Sequence, residues 1–89
     1  MEYRTVYYRG TVQGVGFRYT TQRIASGFAV TGYVQNLPDG RVLIRVQGSS
    51  EQLDRFLAAV MERLGHYVAD VEVLSEPSEN RFCGFEIRF

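Results

Sequence analysis

Several residue types on which proteins commonly build sites are scarce in this chain of 89 residues. Cysteine occurs once, at Cys83, so no disulfide can close within the chain and no cysteine-based zinc site can be assembled. With no helix start near it in sequence, Cys83 reads as a buried strand residue rather than a nucleophile. The single histidine, His66, supplies no metal set and falls in a post-helix loop. Lysine is absent, all ten basic residues being arginine, which removes any Walker-type Gly-Lys phosphate loop. No apolar run approaches the roughly 18 residues of a membrane span. Glu2, Arg4 and Arg9 interrupt any signal-peptide core. The cytoplasm is the expected location, with no membrane partner. Formal net charge is zero, which argues against a nucleic-acid partner bound through phosphate neutralisation.

What is present belongs to an ordinary globular domain, 45% hydrophobic and 22% charged. The length suits one domain spanning residues 1–89, which buries roughly 60–65% of its unfolded surface and so folds with a modest margin. A monomer is the expectation. Charge is unevenly spread: residues 1–36 carry Arg4, Arg9, Arg18 and Arg23 against Glu2, whereas residues 46–89 carry four arginines against eight acids. An anionic ligand would prefer the first half.

Residues 3–12, rich in Tyr, Thr and Val, predict a strand. Two glycines break it within residues 13–17. Phe17, Thr20, Thr21, Ile24 and Ala25 recur at helical spacing, with Gly27 placed to close the helix at C′. A second strand is expected at 31–36, a Leu37-Pro38-Asp39-Gly40 turn after it, and a returning strand at 41–47. Ser49 and Gln52 form a capping-box pattern ahead of a stripe of Leu53, Phe56, Leu57, Val60, Met61 and Leu64, and Gly65 ends that helix. Strands at 68–74 and 82–89 follow, with Phe85, Ile87 and Phe89 alternating against Glu86 and Arg88. The fold class is α+β: a ferredoxin-like β-α-β-β-α-β sandwich, an antiparallel sheet with two helices on one face and an extra C-terminal strand.

The segment Gly10-Thr11-Val12-Gln13-Gly14-Val15-Gly16-Phe17-Arg18 runs from a strand through a glycine-bearing loop into a helix. Backbone N–H groups in such a loop converge on one spot, and the helix dipole adds positive potential there. Gly14 and Gly16 remove side chains that would hold an anion off the backbone. Arg18 in the first helical turn opposes the dipole by about a few tenths of a kcal/mol, so a stability role explains it poorly. Its fork can grip two phosphoryl oxygens at once. On spacing alone a tight turn followed by a surface arginine stands equally open. A dinucleotide fingerprint does not fit, since it needs a glycine where Tyr19 stands.

GTVQGVGFR followed by GYVQNLPDGRV closely resembles the acylphosphatase signature, Gly-x-Val-Gln-Gly-Val-x-Phe-Arg, then Gly-Trp-Val-x-Asn and Asp-Gly-x-Val. The strong match covers residues 10–42, and element order extends it along the chain. Tyr33 stands where the family usually has Trp, and Leu43 where Glu is frequent. The resemblance implies a metal-independent hydrolase without cofactor. In it, Gln13, Gly14, Val15, Gly16, Phe17 and Arg18 bind the phosphoryl group, and Arg18 and Asn36 are catalytic. Its small-molecule partners would be an acyl phosphate and inorganic phosphate.

Topology supports that expectation. In a split βαβ unit the first two strands run parallel, so the cradle and Asn36 end on the same sheet edge, about 10 Å apart across one intervening strand. An acyl phosphate leaves as a weakly basic carboxylate, so holding the phosphoryl group and orienting water can suffice. Position alone would leave Asn36 an ordinary strand-end residue before a turn. Two other functions remain in play: a non-catalytic phosphate- or acyl-phosphate-binding regulatory module, and an RNA binder using Tyr7 and Tyr8. Against the latter, the third strand (RVLIRVQ) has no aromatic residue.

Overall fold

The computed structural model describes residues 1–77 and 82–89. Along the chain lie β1 (Glu2–Gly10), α1 (Phe17–Ala25), β2 (Val30–Asn36), β3 (Val42–Gly48), α2 (Ser50–Leu64), a short 3₁₀ turn (Gly65–Tyr67), β4 (Val68–Pro77) and β5 (Phe85–Arg88). The sheet order is β4-β1-β3-β2-β5. Four strands pair antiparallel as expected, but β5 pairs parallel to β2 and makes the sheet mixed. The cause is where β4 stops. Its last residue, Pro77, lies opposite Glu2, and β5 starts with Phe85 beside Gly32, at the same end of the sheet. A chain leaving and returning at one end must reverse direction. The last strand therefore runs alongside β2 and delivers Arg88 beside Gln35.

Strand alternation sorts the residues into two faces. Val6 and Tyr8 of β1, Val42, Ile44 and Val46 of β3, and Val30 and Val34 of β2 share one face. They form the core with Phe17 and Ala25 of α1 and Leu53, Phe56, Val60 and Leu64 of α2. Met61, expected on the α2 stripe, is exposed, lying off the arc that faces the sheet. Ser49 caps α2, its Oγ accepting from the Gln52 amide at 3.2 Å. The reciprocal half of the capping box does not form, because Gln52 Oε1 accepts from the Ala29 amide instead. Nor does Gly27 take up a left-handed conformation: α1 closes through Ser26 and Gly27 amides onto Gln22 and Ile24 carbonyls.

The other sheet face carries Tyr3, Tyr7 and Tyr33. Phe82 stacks on Tyr3 and meets Tyr33 edge-on, both at 6.0 Å, while the Arg41 and Arg88 guanidiniums lie over Tyr7 and Tyr33. Tyr8 points the other way and is buried against Phe17, so its ring is not available for stacking on a base. Cys83 is exposed and lies outside β5, contrary to the expectation of a buried strand residue, because the strand begins only at Phe85. Among the described residues no helix is long and apolar enough to cross a membrane.

One carboxylate ties three elements together. Arg4 Nε donates to Glu2 at 2.6 Å, and the Ser50 and Ser75 hydroxyls donate to the same side chain. The Arg4 bond, then the two serines, hold the Glu2 carboxyl well down, at about 2 against an ordinary 4.5. A carboxyl with a lowered folded pKa contributes stability above its unfolded pKa and loses it as the pH falls. The melting temperature is therefore expected to drop more steeply between about pH 4.5 and about pH 2 in the wild type than in Glu2→Gln. Equal slopes in thermal melts across that window would remove Glu2 from the acid response.

Candidate active site

The cleft is built where β1 gives way to α1. A register shift at Arg9/Gly10 ends the strand two residues short of Val12, the expected limit, and the Thr11 amide turns to the Tyr67 carbonyl at 2.9 Å. Val12 is fully buried and anchors the loop from below. Gly14 and Gly16 have φ of 80° and 77°, while Val15 between them does not. Alternation of this kind is the backbone pattern in which successive N–H groups can converge on an anion. A Cβ on either glycine would meet no protein atom within 4 Å. Within the chain, backbone conformation rather than crowding therefore requires glycine there.

α1 then begins at Phe17 with no side-chain cap and no acid in its first turn, unlike the Ser49-capped α2. Its leading amides are left without intrahelical partners, at the positive end of the dipole. Arg18 projects from this turn. Its Nη1 donates to the Arg88 carbonyl at 3.2 Å, and its guanidinium carbon lies 4.6 Å from the Phe89 ring centroid. Among the described residues no Asp or Glu pairs with it, so its charge is not neutralised within the chain. The alternation of Phe85, Ile87 and Phe89 signalled which face β5 would present. That this face supports Arg18 was not visible in sequence.

Asn36 closes β2. It pairs with Val42, which pairs in turn with Tyr8, so all three share the row nearest the cradle. Alternation puts Asn36 on the face of the buried Val34, under the helices. Its Oδ1 is enclosed and has no hydrogen-bond partner among the described residues, an arrangement that costs about 1–3 kcal/mol unless a donor reaches it. The side chain is thus half-buried rather than free in solvent.

Gly14, Gly16, Arg18 and Asn36 line one cleft of about 240 Å³, with Ile87 and Phe89 forming an apolar wall. Phe17 reaches it from below, its ring mainly packed on Tyr8 at 5.1 Å. Val15 and Gln13 do not line the cleft. The Gln13 side chain turns away into the β2–β3 turn, donating from Nε2 to the Leu37 and Arg41 carbonyls at 2.8 and 3.0 Å. In that turn the Arg41 amide, and then its guanidinium, hold the Asp39 carboxyl below its ordinary pKa. Among the described residues no group of three His, Cys, Asp or Glu side chains is arranged to hold a metal ion.

Fold and cleft define a small α+β domain of ferredoxin-like topology whose first strand-to-helix loop leads into an uncapped helix start beside an arginine with no carboxylate partner among the described residues. The acylphosphatase family model matches residues 4–87. An acylphosphatase of Archaeoglobus fulgidus is 56% identical over 55 residues, 62% of this chain and 62% of that one. One from Oceanobacillus iheyensis is 38% identical over 91 aligned positions covering the whole of both chains. The crystal structure of acylphosphatase from Bacillus subtilis superposes with a TM-score of 0.90 at 33% identity, again over the whole of both chains. The chain belongs to the acylphosphatase family.

Proposed function

We propose that this protein hydrolyses the carboxyl–phosphate anhydride bond of acyl phosphates. Loop 13–18 and Arg18 bind the phosphoryl group, and Asn36 orients the attacking water. One observation carries the reading: an arginine and an enclosed amide oxygen, each without a carboxylate or hydrogen-bonding side-chain partner among the described residues, line the same cleft at an uncapped helix start. The phosphoryl oxygens meet the loop amides and the Arg18 fork. A water donating one hydrogen to Asn36 Oδ1 has its lone pair turned toward phosphorus. As the water oxygen bonds to phosphorus, the bond from phosphorus to the acyl oxygen breaks and its electron pair leaves on the carboxylate. One water proton stays on the new phosphate oxygen and the other passes to a phosphoryl oxygen. An acyl phosphate dianion and water thus give a carboxylate and dihydrogen phosphate.

No general acid is required, because the leaving carboxylate is a weak base. Cradle amides and guanidinium stabilise the charge that spreads over the equatorial oxygens. Release of inorganic phosphate from acetyl and benzoyl phosphate, unchanged by added EDTA, is the expected result. Phosphate binding without turnover would leave a non-catalytic module.

Inorganic phosphate offers the same oxygens to the same amides, so it should inhibit competitively. In an NMR titration with phosphate or sulfate, the amides of Gly14 to Arg18 are expected to shift first. A response centred on Glu86 and Arg88 of β5 instead would move the anion site out of the loop.

A further inference from the structure

The sheet alone does not join the two halves of this cleft. The paired residues of β1 and β3 end at Tyr8 and Val42, and β3 separates β1 from β2 throughout. Loop 11–16 therefore stands beyond the end of the ladder. On one side the Thr11 amide ties it to Tyr67, next to β4. On the Asn36 side, among the described residues, only the Gln13 side chain bonds it to the β2–β3 turn. Both protons of Nε2 are used, one on Leu37 O and one on Arg41 O. These carbonyls form the mouth of the hairpin, where the Leu37 amide also donates to Arg41 O at 2.8 Å. Gln13 immediately precedes Gly14 of the cradle, and Leu37 immediately follows Asn36. The clamp thus joins the residue before one half of the site to the residue after the other.

We propose that the Gln13 side chain is a positioning residue, which sets the distance between the phosphoryl cradle and Asn36 and with it the approach of water to phosphorus. The inference rests on the roles given above to the loop and Asn36. An amide is required for a chemical reason. Two carbonyl oxygens converge on one nitrogen, and among side chains of this length only a neutral amide offers two protons with no charge to desolvate. A carboxylate of the same shape would meet both carbonyls with like partial charge.

Gln13→Met keeps the bulk and removes both donors. Its kcat is expected to fall roughly 10- to 100-fold, the scale of a misplacement of about 1 Å between reacting groups. The phosphate inhibition constant should move less than about threefold, since the cradle amides are intact. The deciding measurement is the double variant Gln13→Met/Asn36→Ala. Once Asn36 no longer holds the water, losing the clamp should cost less than about threefold more. Full additivity, an unchanged kcat in Gln13→Met, or parallel losses of kcat and phosphate affinity would each overturn the proposal.

Should the methionine variant not fold, Gln13→Glu replaces it. Its kcat relative to wild type should rise as the pH falls through the carboxyl's titration, because protonation restores one donor. A flat ratio would overturn the clamp. Wild-type turnover of acetyl phosphate and its loss in Asn36→Ala test the underlying reading separately. If the wild type turns nothing over, both fail; if only the coupling is missing, the clamp fails alone.

Discussion

Replacing Arg18 by lysine is expected to abolish turnover almost as completely as replacing it by alanine. The guanidinium is held from two directions, by the Arg88 carbonyl at Nη1 and by the Phe89 ring 4.6 Å from its carbon. That support fixes the plane of the fork before any ligand arrives, and preorganised charge is the kind that lowers a transition state. A lysine ammonium is a point charge on a flexible stem. It cannot bridge two phosphoryl oxygens in one plane, and it stacks on an aromatic ring less well. Either variant should lose the roughly 10²–10³ in rate that one transition-state donor supplies. Phosphate binding should weaken by about 1.5–3 kcal/mol, the range for hydrogen bonds to charged groups. The checks are kcat on acetyl phosphate and the phosphate inhibition constant for wild type, Arg18→Lys and Arg18→Ala. Near-normal turnover in the lysine variant would show that charge alone suffices and that the held fork is irrelevant.

The conformation of the glycine loop is legible in sequence because its cause is local. Gly14 and Gly16 bracket Val15 within a strand-to-helix junction, and the left-handed φ values that glycine permits occur at both. Asn36 was placed by counting strands, since parity with Val34 and the parallel course of β1 and β2 need no side-chain detail. What sequence did not show are the contacts between distant segments. Arg18 and Phe89 lie far apart along the chain, and they meet only because β5 runs parallel to β2. That direction depends on where β4 ends, and β4 continues to Pro77, beyond the residue 74 expected from its pattern. Gln13 is expected at the phosphate because it belongs to the same glycine-bearing loop, a role that would fall to its backbone amide. Its side chain instead bonds carbonyls more than twenty residues away, a choice made by the closed geometry of the hairpin. Cys83 departs from its expected burial because the strand alternation seen at Phe85, Ile87 and Phe89 does not extend over residues 82–84, which precede β5.

Asn36→Ala is expected to separate chemistry from binding. The Asn36 amide oxygen is enclosed, has no partner among the described residues, and lines the same cleft as Gly14, Gly16 and Arg18, to which the proposed mechanism gives the phosphoryl group. It is an acceptor only, and the phosphoryl oxygens are acceptors too, so that oxygen gains nothing from the phosphate itself. A water molecule, which donates, can satisfy both. Alanine removes the acceptor and leaves every cradle donor in place. The kcat should therefore fall by on the order of 10²–10³, by analogy with other single positioning amides. The phosphate inhibition constant should change little. Stability should hold or rise slightly, because an enclosed polar atom without a partner is a cost that alanine removes. All three quantities are read on one purified variant, by initial rates, product inhibition and a thermal melt. A large loss of phosphate affinity would reassign Asn36 to the cradle. A collapsed melting temperature would make it a structural strand end, and an unchanged kcat would take it out of the mechanism.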